Sequence, residues 1–202
     1  MSSEPAVGPG VASQAIVDAT GTPVGVELLY REPPSDVAPV LTSEADHEQA
    51  TGTVVDLLHR EMDVDDPGLL FLNTPRAYLV GAHALPAANG RIVVEVLEGV
   101  TADDEVVAGV RDLLARGYRI ALDDWAGPGD RDALLPLADY VKVDLEAVTR
   151  AGLAAVVAQA REVCPDVVVV VERIETLDDL QEALAAGADL FQGYLLAAPD
   201  LV

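Results

Sequence analysis

Basic residues are scarce in this chain of 202 residues: 12 lysines and arginines stand against 35 aspartates and glutamates, for a formal net charge of −23. So acidic a surface argues against general binding to nucleic-acid polymers or anionic membranes, because both require a basic face. Cysteine occurs once, at Cys164, which excludes an intramolecular disulfide and disfavours a cysteine-ligated zinc site. We therefore expect neither a nucleic-acid polymer nor a membrane among its partners.

Long hydrophobic runs are also absent. No apolar stretch reaches the roughly 18 residues of a membrane span, and residues 1–10 show no basic-then-apolar leader pattern. We accordingly expect a soluble, cytoplasmic protein. Half of the residues are hydrophobic, which is enough to bury a sizeable core. We expect a flexible N-terminal tail over residues 1–13 and one barrel domain over residues 14–202.

Short apolar runs alternate with helix-like segments along the chain, which is typical of an α/β protein whose parallel strands are covered by helices. Eight such runs favour a closed (β/α)8, TIM-like barrel. The first two are joined by the tight turn Ala19–Pro23, so they must be antiparallel and the barrel irregular at its start. The predicted strands are Gln14–Asp18, Val24–Tyr30, Leu69–Leu72, Ile92–Val94, Arg119–Leu122, Tyr140–Val143, Val167–Val171 and Leu190–Phe191.

Start and stop signals also locate the helices. Thr101–Asp104 and Thr176–Asp179 supply N-caps and acidic first turns, and Gly117 and Gly187 end the two helices that follow. Periodic apolar residues predict two more helices, and the stretch 32–46, with three prolines, is predicted to be irregular. The two further helices are His47–Arg60, which we expect at the surface, and Glu146–Val163.

Polar residues stand where the predicted strands end, and in a barrel such residues meet at one mouth. Several buried carboxylates are costly unless a cation neutralises them. Oxygen ligands suit Mg²⁺, Mn²⁺ or Ca²⁺ and disfavour zinc and copper. Six ligands exceed what one magnesium ion takes from protein, so two adjacent ions bridged by an aspartate fit better, an apparatus for attack of water on a phosphodiester. The predicted ligands are Glu27, Asn73, Glu95, Asp123, Asp124 and Glu172.

The chain has eleven arginines but a single lysine, Lys142, and this lysine also falls on a predicted strand. It would hold or polarise the attacking water, or balance the carboxylates. Three further acids, Glu98, Asp144 and Glu175, are better explained by structural roles such as caps and ion pairs. No histidine follows a strand, so we expect no catalytic histidine.

Seven segments combine these residues in one order: 27–31 (ELLYR), 71–73 (FLN), 95–98 (EVLE), 121–125 (ALDDW), 141–144 (VKVD), 171–176 (VERIET) and 191–194 (FQGY). Together they resemble the EAL family of cyclic-di-GMP phosphodiesterases. Segments 26–31 and 134–139 are most similar to the branch that usually carries a C-terminal HDOD domain. We expect that domain to be absent, because the chain ends at Val202.

The resemblance implies hydrolysis of cyclic-di-GMP to linear pGpG with Mg²⁺ or Mn²⁺, two ions being expected, in a barrel whose first strand runs antiparallel. It implies the same six metal ligands, and it leaves a homodimer open. Lys142, Gln192 and Glu172 would serve the nucleophilic water, and Arg31 would hold a substrate phosphate. Glu98 would brace the loop after Asp124, and Asp144 and Glu175 would support the ligands from behind.

The chain departs from the family pattern at three places. Leu28 stands where the signature has alanine, the loop 125–131 (WAGPGDR) replaces the usual Phe-Gly-Thr-Gly-Tyr-Ser-Ser, and the proline-rich stretch 32–46 replaces a helix. Two other hypotheses therefore stay open. One is a catalytically weak or inactive EAL module that binds cyclic-di-GMP or a protein partner in signalling. The other is an unrelated metal-dependent barrel acting on another phosphate or carboxylate substrate.

Overall fold

The computed structural model describes residues 10–32, 41–61 and 68–201. Strands β1 (Gly10–Asp18) and β2 (Pro23–Arg31) form the predicted antiparallel pair. The predicted tail ends too late, because residues 10–13 belong to β1, where Gly10 is paired with Arg31. These small residues are held by burial against β2, which their composition does not reveal. The remainder of the tail lies outside the described residues.

Six parallel strands follow β2 around the barrel, and all six confirm predicted strands. β1 closes the ring because it pairs antiparallel with β2 on one side and with β8 on the other. A short strand, β9 (Asp200–Leu201), also pairs with β1 and was not predicted. The six parallel strands are β3 (Leu69–Thr74), β4 (Ile92–Val96), β5 (Arg119–Leu122), β6 (Tyr140–Asp144), β7 (Val168–Glu172) and β8 (Leu190–Phe191).

The helices begin at the predicted capping residues in two cases. Asp103 accepts hydrogen bonds from the N–H groups of Glu105 and Val106, and Thr176 forms a capping box with Asp179. No helix within the described ranges is long and apolar enough to cross a membrane. A 3₁₀ turn at Leu135–Leu137 lies between β5 and β6. The helices are α1 (Glu44–Glu61), α2 (Arg76–Leu79), α3 (Asp104–Ala115), α4 (Arg150–Val163) and α5 (Leu177–Ala186).

Two helix starts differ from prediction, and one short helix was not predicted. α1 begins at Glu44, three residues before His47, because Ser43 accepts a hydrogen bond from the Asp46 N–H. α4 begins at Arg150 rather than Glu146, since the Asp144 carboxylate accepts from the Glu146 N–H and holds a turn there. The four-residue α2 was not predicted, and a single turn carries too little periodicity to be recognised.

The strands carry two separate apolar faces because successive side chains point to opposite sides. Outward residues such as Val94 and Ile120 pack with helix residues such as Val110 in the main core. Inward residues form a smaller cluster at the bottom of the barrel, in which the Phe71 and Tyr140 rings meet edge to face at 5.2 Å. This barrel floor consists of Ile16, Phe71, Val93, Ala121, Tyr140, Val170 and Leu190.

Candidate metal centre at the barrel mouth

Polar side chains occupy the next inward position on the same strands, two residues beyond the barrel floor. Asn73 follows Phe71, and Glu95 follows Val93, and the two are paired across β3 and β4. β1 runs in the opposite direction, so its mouth residue precedes its floor residue. This mouth layer consists of Gln14, Glu27, Asn73, Glu95, Asp123, Lys142, Glu172 and Gln192.

Lys142 lies at the centre of the mouth layer, 1% exposed. Its Nζ is 2.7 Å from Glu95 Oε1, 2.9 Å from Glu172 Oε1 and 3.0 Å from Asp123 Oδ1. Glu27 Oε2 lies at 3.5 Å. Four predicted ligands therefore converge on the single lysine, in the arrangement expected if Lys142 balances the carboxylates.

Amide side chains hold Glu27 from two sides. Asn73 Nδ2 donates to Glu27 Oε1 at 2.8 Å, and Gln192 Nε2 donates to Glu27 Oε2 at 2.7 Å. Gln192 Nε2 also reaches Gln14 Oε1 at 3.1 Å, and Gln14 Nε2 donates to the Ala197 carbonyl. The amide nitrogens are thereby engaged within the protein, and Gln192 Oε1 is buried without a hydrogen-bond partner among the described residues.

Burial dominates the protonation of these groups. It raises the pKa of Glu95 well above its usual range against the opposing Lys142 ammonium, and raises the pKa of Glu172 to about 8. Burial alone would lower the pKa of Lys142, but the four surrounding carboxylates raise it well above its ordinary value. One ammonium thus faces four acids, and burial favours the protonated forms of Glu95 and Glu172.

A second acidic group lies at the rim, beyond the end of β5. One carboxylate oxygen from each of Glu98, Asp123 and Asp124 lies within 4.8 Å of the others. Burial, reinforced by Asp123, Asp144 and Glu98, raises the pKa of Asp124 to about 6. Asp123 therefore belongs to both groups, which is the position that a bridging ligand would occupy.

Three of the remaining predicted site residues, Arg31, Asp144 and Glu175, line a cavity of about 340 Å³ at the mouth, whereas Glu98 lines an adjoining one. Arg31 is buried in its wall, and Glu175 is exposed at its edge. Asp144 pairs with Arg173 at 2.7 Å, as its structural interpretation requires. The bracing role of Glu98 stays a prediction; the side-chain hydrogen bonds to the Asp123 and Asp124 carbonyls come from Arg131.

The histidines take no part in the mouth layer. His59 is exposed on α1, and His83 lies 3.4 Å from Glu48 in an exposed pair. His47 is half-buried on α1 and lines an adjoining cavity of about 230 Å³ beside Arg31. Asp123 lines this cavity too, so the two cavities meet at the rim.

The donor set fits a hard divalent cation. The side-chain groups that converge are carboxylates and amides, which are oxygen donors that such a cation prefers. Both oxygens of Glu95 are fully buried, and within the described residues no hydrogen-bond donor other than Lys142 reaches them. Their negative charge can therefore be balanced only by a cation. Glu95 Oε1 is answered by Lys142, whereas Glu95 Oε2 has no partner of either kind in that part of the chain. A buried carboxylate oxygen in this state is expected to be satisfied by a metal ion or a water.

Two residues of the site were missed by sequence reasoning. Gln14 alternates with the buried Ile16, so strand periodicity could have placed it inside the barrel. Arg131 gives no local signal, because its contacts are with the ends of β4 and β5.

The fold and site define a TIM-like barrel with one reversed strand and an acidic mouth. The family model for the EAL domain matches residues 44–199. The chain therefore belongs to the EAL domain family, which excludes the alternative of an unrelated metal-dependent barrel. Glu27 and Arg31 precede the matched segment, and barrel geometry places them at the site.

Two curated relatives cover nearly all of the chain. Cyclic di-GMP phosphodiesterase CdgJ of Vibrio cholerae is 28% identical over 195 residues, which is 95% of this chain and 44% of that protein. The uncharacterised protein YuxH of Bacillus subtilis is 26% identical over 200 residues, or 95% and 47%. The chain thus spans less than half the length of these relatives.

Two solved structures share the fold. The Bacillus subtilis EAL-domain protein YkuI, in complex with cyclic-di-GMP and calcium, has a TM-score of 0.74 at 22% identity, covering 96% of this chain and 55% of that one. Klebsiella pneumoniae BlrP1, in complex with manganese and cyclic-di-GMP, has a TM-score of 0.72 at 24% identity, covering 98% and 57%.

Proposed function

We propose that this chain hydrolyses cyclic-di-GMP to linear pGpG with Mg²⁺ or Mn²⁺ ions at the barrel mouth. The observation that carries the proposal is the convergence of four acidic side chains on Lys142, with a buried Glu95 oxygen left unpartnered among the described residues. The name of CdgJ and the ligands of the YkuI and BlrP1 structures support the choice of substrate and of a divalent cation.

The mouth layer supplies most of the proposed ligands, and the rim supplies the rest. Asp123 belongs to both, which favours two adjacent ions with this carboxylate between them. When bound, such ions would lower the pKa of a water molecule and stabilise charge that develops on the phosphate. The proposed ligands are Glu27, Asn73, Glu95, Asp123, Asp124 and Glu172.

Three residues would handle the attacking water. The Lys142 ammonium would hold it by charge, and Gln192 Oε1, which has no partner among the described residues, can accept a hydrogen bond from it. Glu172, whose Oε1 lies 2.9 Å from Lys142 Nζ, would accept a proton from this water.

Arg31 would bind a substrate phosphate. Its side chain lies in the cavity wall, and its Nη1 donates to the Tyr30 carbonyl at 2.9 Å, which fixes the guanidinium beside the mouth. The remaining donors of the planar guanidinium suit phosphate oxygens. Arg31 thereby places positive charge on a cavity that is otherwise largely acidic.

The test is to incubate the protein with cyclic-di-GMP and manganese and to separate the products by chromatography. We expect pGpG to accumulate, and we expect chelation to stop it. Glu27→Gln is the informative variant, and Asp112→Asn on the exposed face of α3 is the matched control. Absence of pGpG under every metal and salt condition, in protein that circular dichroism shows to be folded, would refute the proposal.

A module that binds cyclic-di-GMP without cleaving it is the second candidate. The observation that favours it is that Lys142 already offsets part of the mouth charge, so that the fold need not depend on metal. Calorimetry that detects nucleotide binding without turnover would support this function. If the protein binds neither nucleotide nor metal, a protein-binding scaffold would be favoured instead. Whether the chain forms a homodimer stays a prediction.

A further inference from the structure

The loop after β5 holds two proposed ligands in a conformation that needs support. Asp124 has a backbone φ of +45°, in the left-handed region that non-glycine residues seldom adopt. Such a conformation persists only where neighbouring groups fix it.

Arg131 supplies three of the contacts. Its Nη1 donates to the Val96 carbonyl at 3.0 Å and also to the Asp123 carbonyl, and its Nη2 donates to the Asp124 carbonyl at 3.2 Å. The Asp123 N–H donates to the same Val96 carbonyl at 3.1 Å. One guanidinium therefore ties the end of β4 to both aspartates, and it is only 9% exposed.

Arg131 can hold the loop without occupying the carboxylate oxygens that would bind metal. All three described hydrogen bonds go to main-chain carbonyls, so they do not use the carboxylate oxygens of Asp123 and Asp124. Burial lowers the pKa of Arg131 from its ordinary value, and the carboxylates of Asp123, Glu98 and Asp124 oppose that shift. Arginine nevertheless keeps its charge in proteins. Lys142 is thus the buried cation that contacts the carboxylates of the mouth layer, and Arg131 is the buried cation that contacts the main chain of the two rim aspartates.

The loop is itself folded back to bring Arg131 to this position. Asp132 Oδ1 accepts from the Gly129 N–H at 2.8 Å, and the Leu134 N–H donates to the Arg131 carbonyl at 2.9 Å. The backbone on either side of Arg131 is thus fixed by turns, which makes its reach to Asp124 a defined contact.

We propose that Arg131 is a positioning residue for metal binding, holding Asp123 and Asp124 in ligand geometry through their main-chain carbonyls. The inference rests on the proposed function, because it assumes that both aspartates bind metal. Partners that orient metal ligands typically contribute about 10–100-fold to metal affinity. Since the fork of Arg131 spans three carbonyls, a lysine at this position keeps the charge and loses most of the contacts.

The experiment measures Mn²⁺ binding by calorimetry, and by electron paramagnetic resonance, to the folded protein without nucleotide. The variants are Arg131→Lys and Arg131→Gln, with Arg116→Gln as a matched control on a half-exposed surface pair. We expect both Arg131 variants to weaken Mn²⁺ binding about 10–100-fold below their unfolding temperatures, and the control to bind as the wild type does. Arg131→Lys keeps the charge and is the variant to use if Arg131→Gln does not fold.

Unchanged Mn²⁺ affinity in folded Arg131→Lys would overturn the proposal, because a merely structural arginine alters stability and leaves the affinity of the folded protein unchanged. A wild type that binds no Mn²⁺ would overturn it together with the proposed metal site. If the wild type binds Mn²⁺ and Arg131→Lys binds it more weakly, but cyclic-di-GMP is not cleaved, the positioning role stands and the proposed catalytic function fails.

Discussion

The barrel floor and the mouth layer lie on the same strands, two residues apart, and differ completely in chemistry. The floor is apolar and closely packed, with Phe71, Val93, Ala121 and Val170 all fully buried. The mouth layer buries ionisable groups almost as deeply, including Glu95 and Lys142. One backbone geometry therefore presents a layer that stabilises the fold and a layer whose buried charges oppose it, which is the expected balance at a functional site.

The largest effect is expected from Asp123→Asn in the mouth layer. This change removes one charge from the proposed bridging position while keeping the size of the side chain, so turnover of cyclic-di-GMP should fall about 1000-fold or more. Mn²⁺ affinity should fall with it, as calorimetry would show. Wild-type turnover in this variant would remove Asp123 from the proposed ligands, and Asp112→Asn serves as the surface control.

In the barrel floor, Phe71→Ala is expected to act on stability alone. Loss of a buried phenylalanine costs about 3–5 kcal/mol of unfolding free energy. Urea unfolding would measure this cost, with Phe71→Leu as the milder variant if Phe71→Ala does not fold. Mn²⁺ affinity of the folded protein should stay close to that of the wild type, and a large loss would show that the two layers are not separable.

Lys142→Met is expected to reduce turnover about 100-fold while Mn²⁺ binding is largely retained, because the lysine would orient water rather than bind metal. The metal-free variant should also be less stable than the wild type, since four carboxylates lose their common ion-pair partner. Addition of Mn²⁺ should narrow that difference in urea unfolding. A variant with the full wild-type rate would contradict the role assigned to Lys142.

A smaller effect is expected from pH on the metal-free protein. Glu172 titrates at about 8 in the folded state instead of 4.5, and Asp124 at about 6 instead of 3.8. Between the unfolded-state and the folded-state pKa of each group, the folded protein binds more protons than the unfolded chain. The free energy of unfolding should therefore fall as pH rises from 5 to 8. Carboxyls with a lowered pKa, such as Asp103, titrate below this window.

Urea unfolding in chelator at several pH values would measure this dependence. With saturating Mn²⁺ the decline should be reduced or reversed, because metal binding displaces the protons. A metal-free protein that becomes steadily more stable between pH 5 and pH 8 would contradict the raised pKa values.

Much of the barrel could be predicted from the sequence because its strands carry local signals. The run 167–171 is continuously apolar, and Glu172 marks its end, so strand and site residue appear together. β9 could not be predicted, since two residues have no periodicity and the strand exists only through its pairing with β1. The start of β1 at Gly10 was missed for a similar reason.

The candidate site follows the same division. Predicted mouth residues such as Asn73 and Glu95 stand at strand ends, and one register brings them together. The contacts of Arg131 depend on how a loop folds back over two strand ends, which no local pattern specifies. The sequence left two roles open for Lys142, holding the attacking water or balancing the carboxylates, and only the barrel geometry shows that its ammonium lies within 3.5 Å of four of them.

The most direct test of the account is anomalous diffraction, at the manganese absorption edge, from crystals grown with Mn²⁺. We expect two anomalous peaks at the mouth, in contact with Glu95 and Asp124 and sharing the carboxylate of Asp123. Crystals with ample Mn²⁺, no peak at the mouth, and Lys142 still paired with all four carboxylates would contradict it.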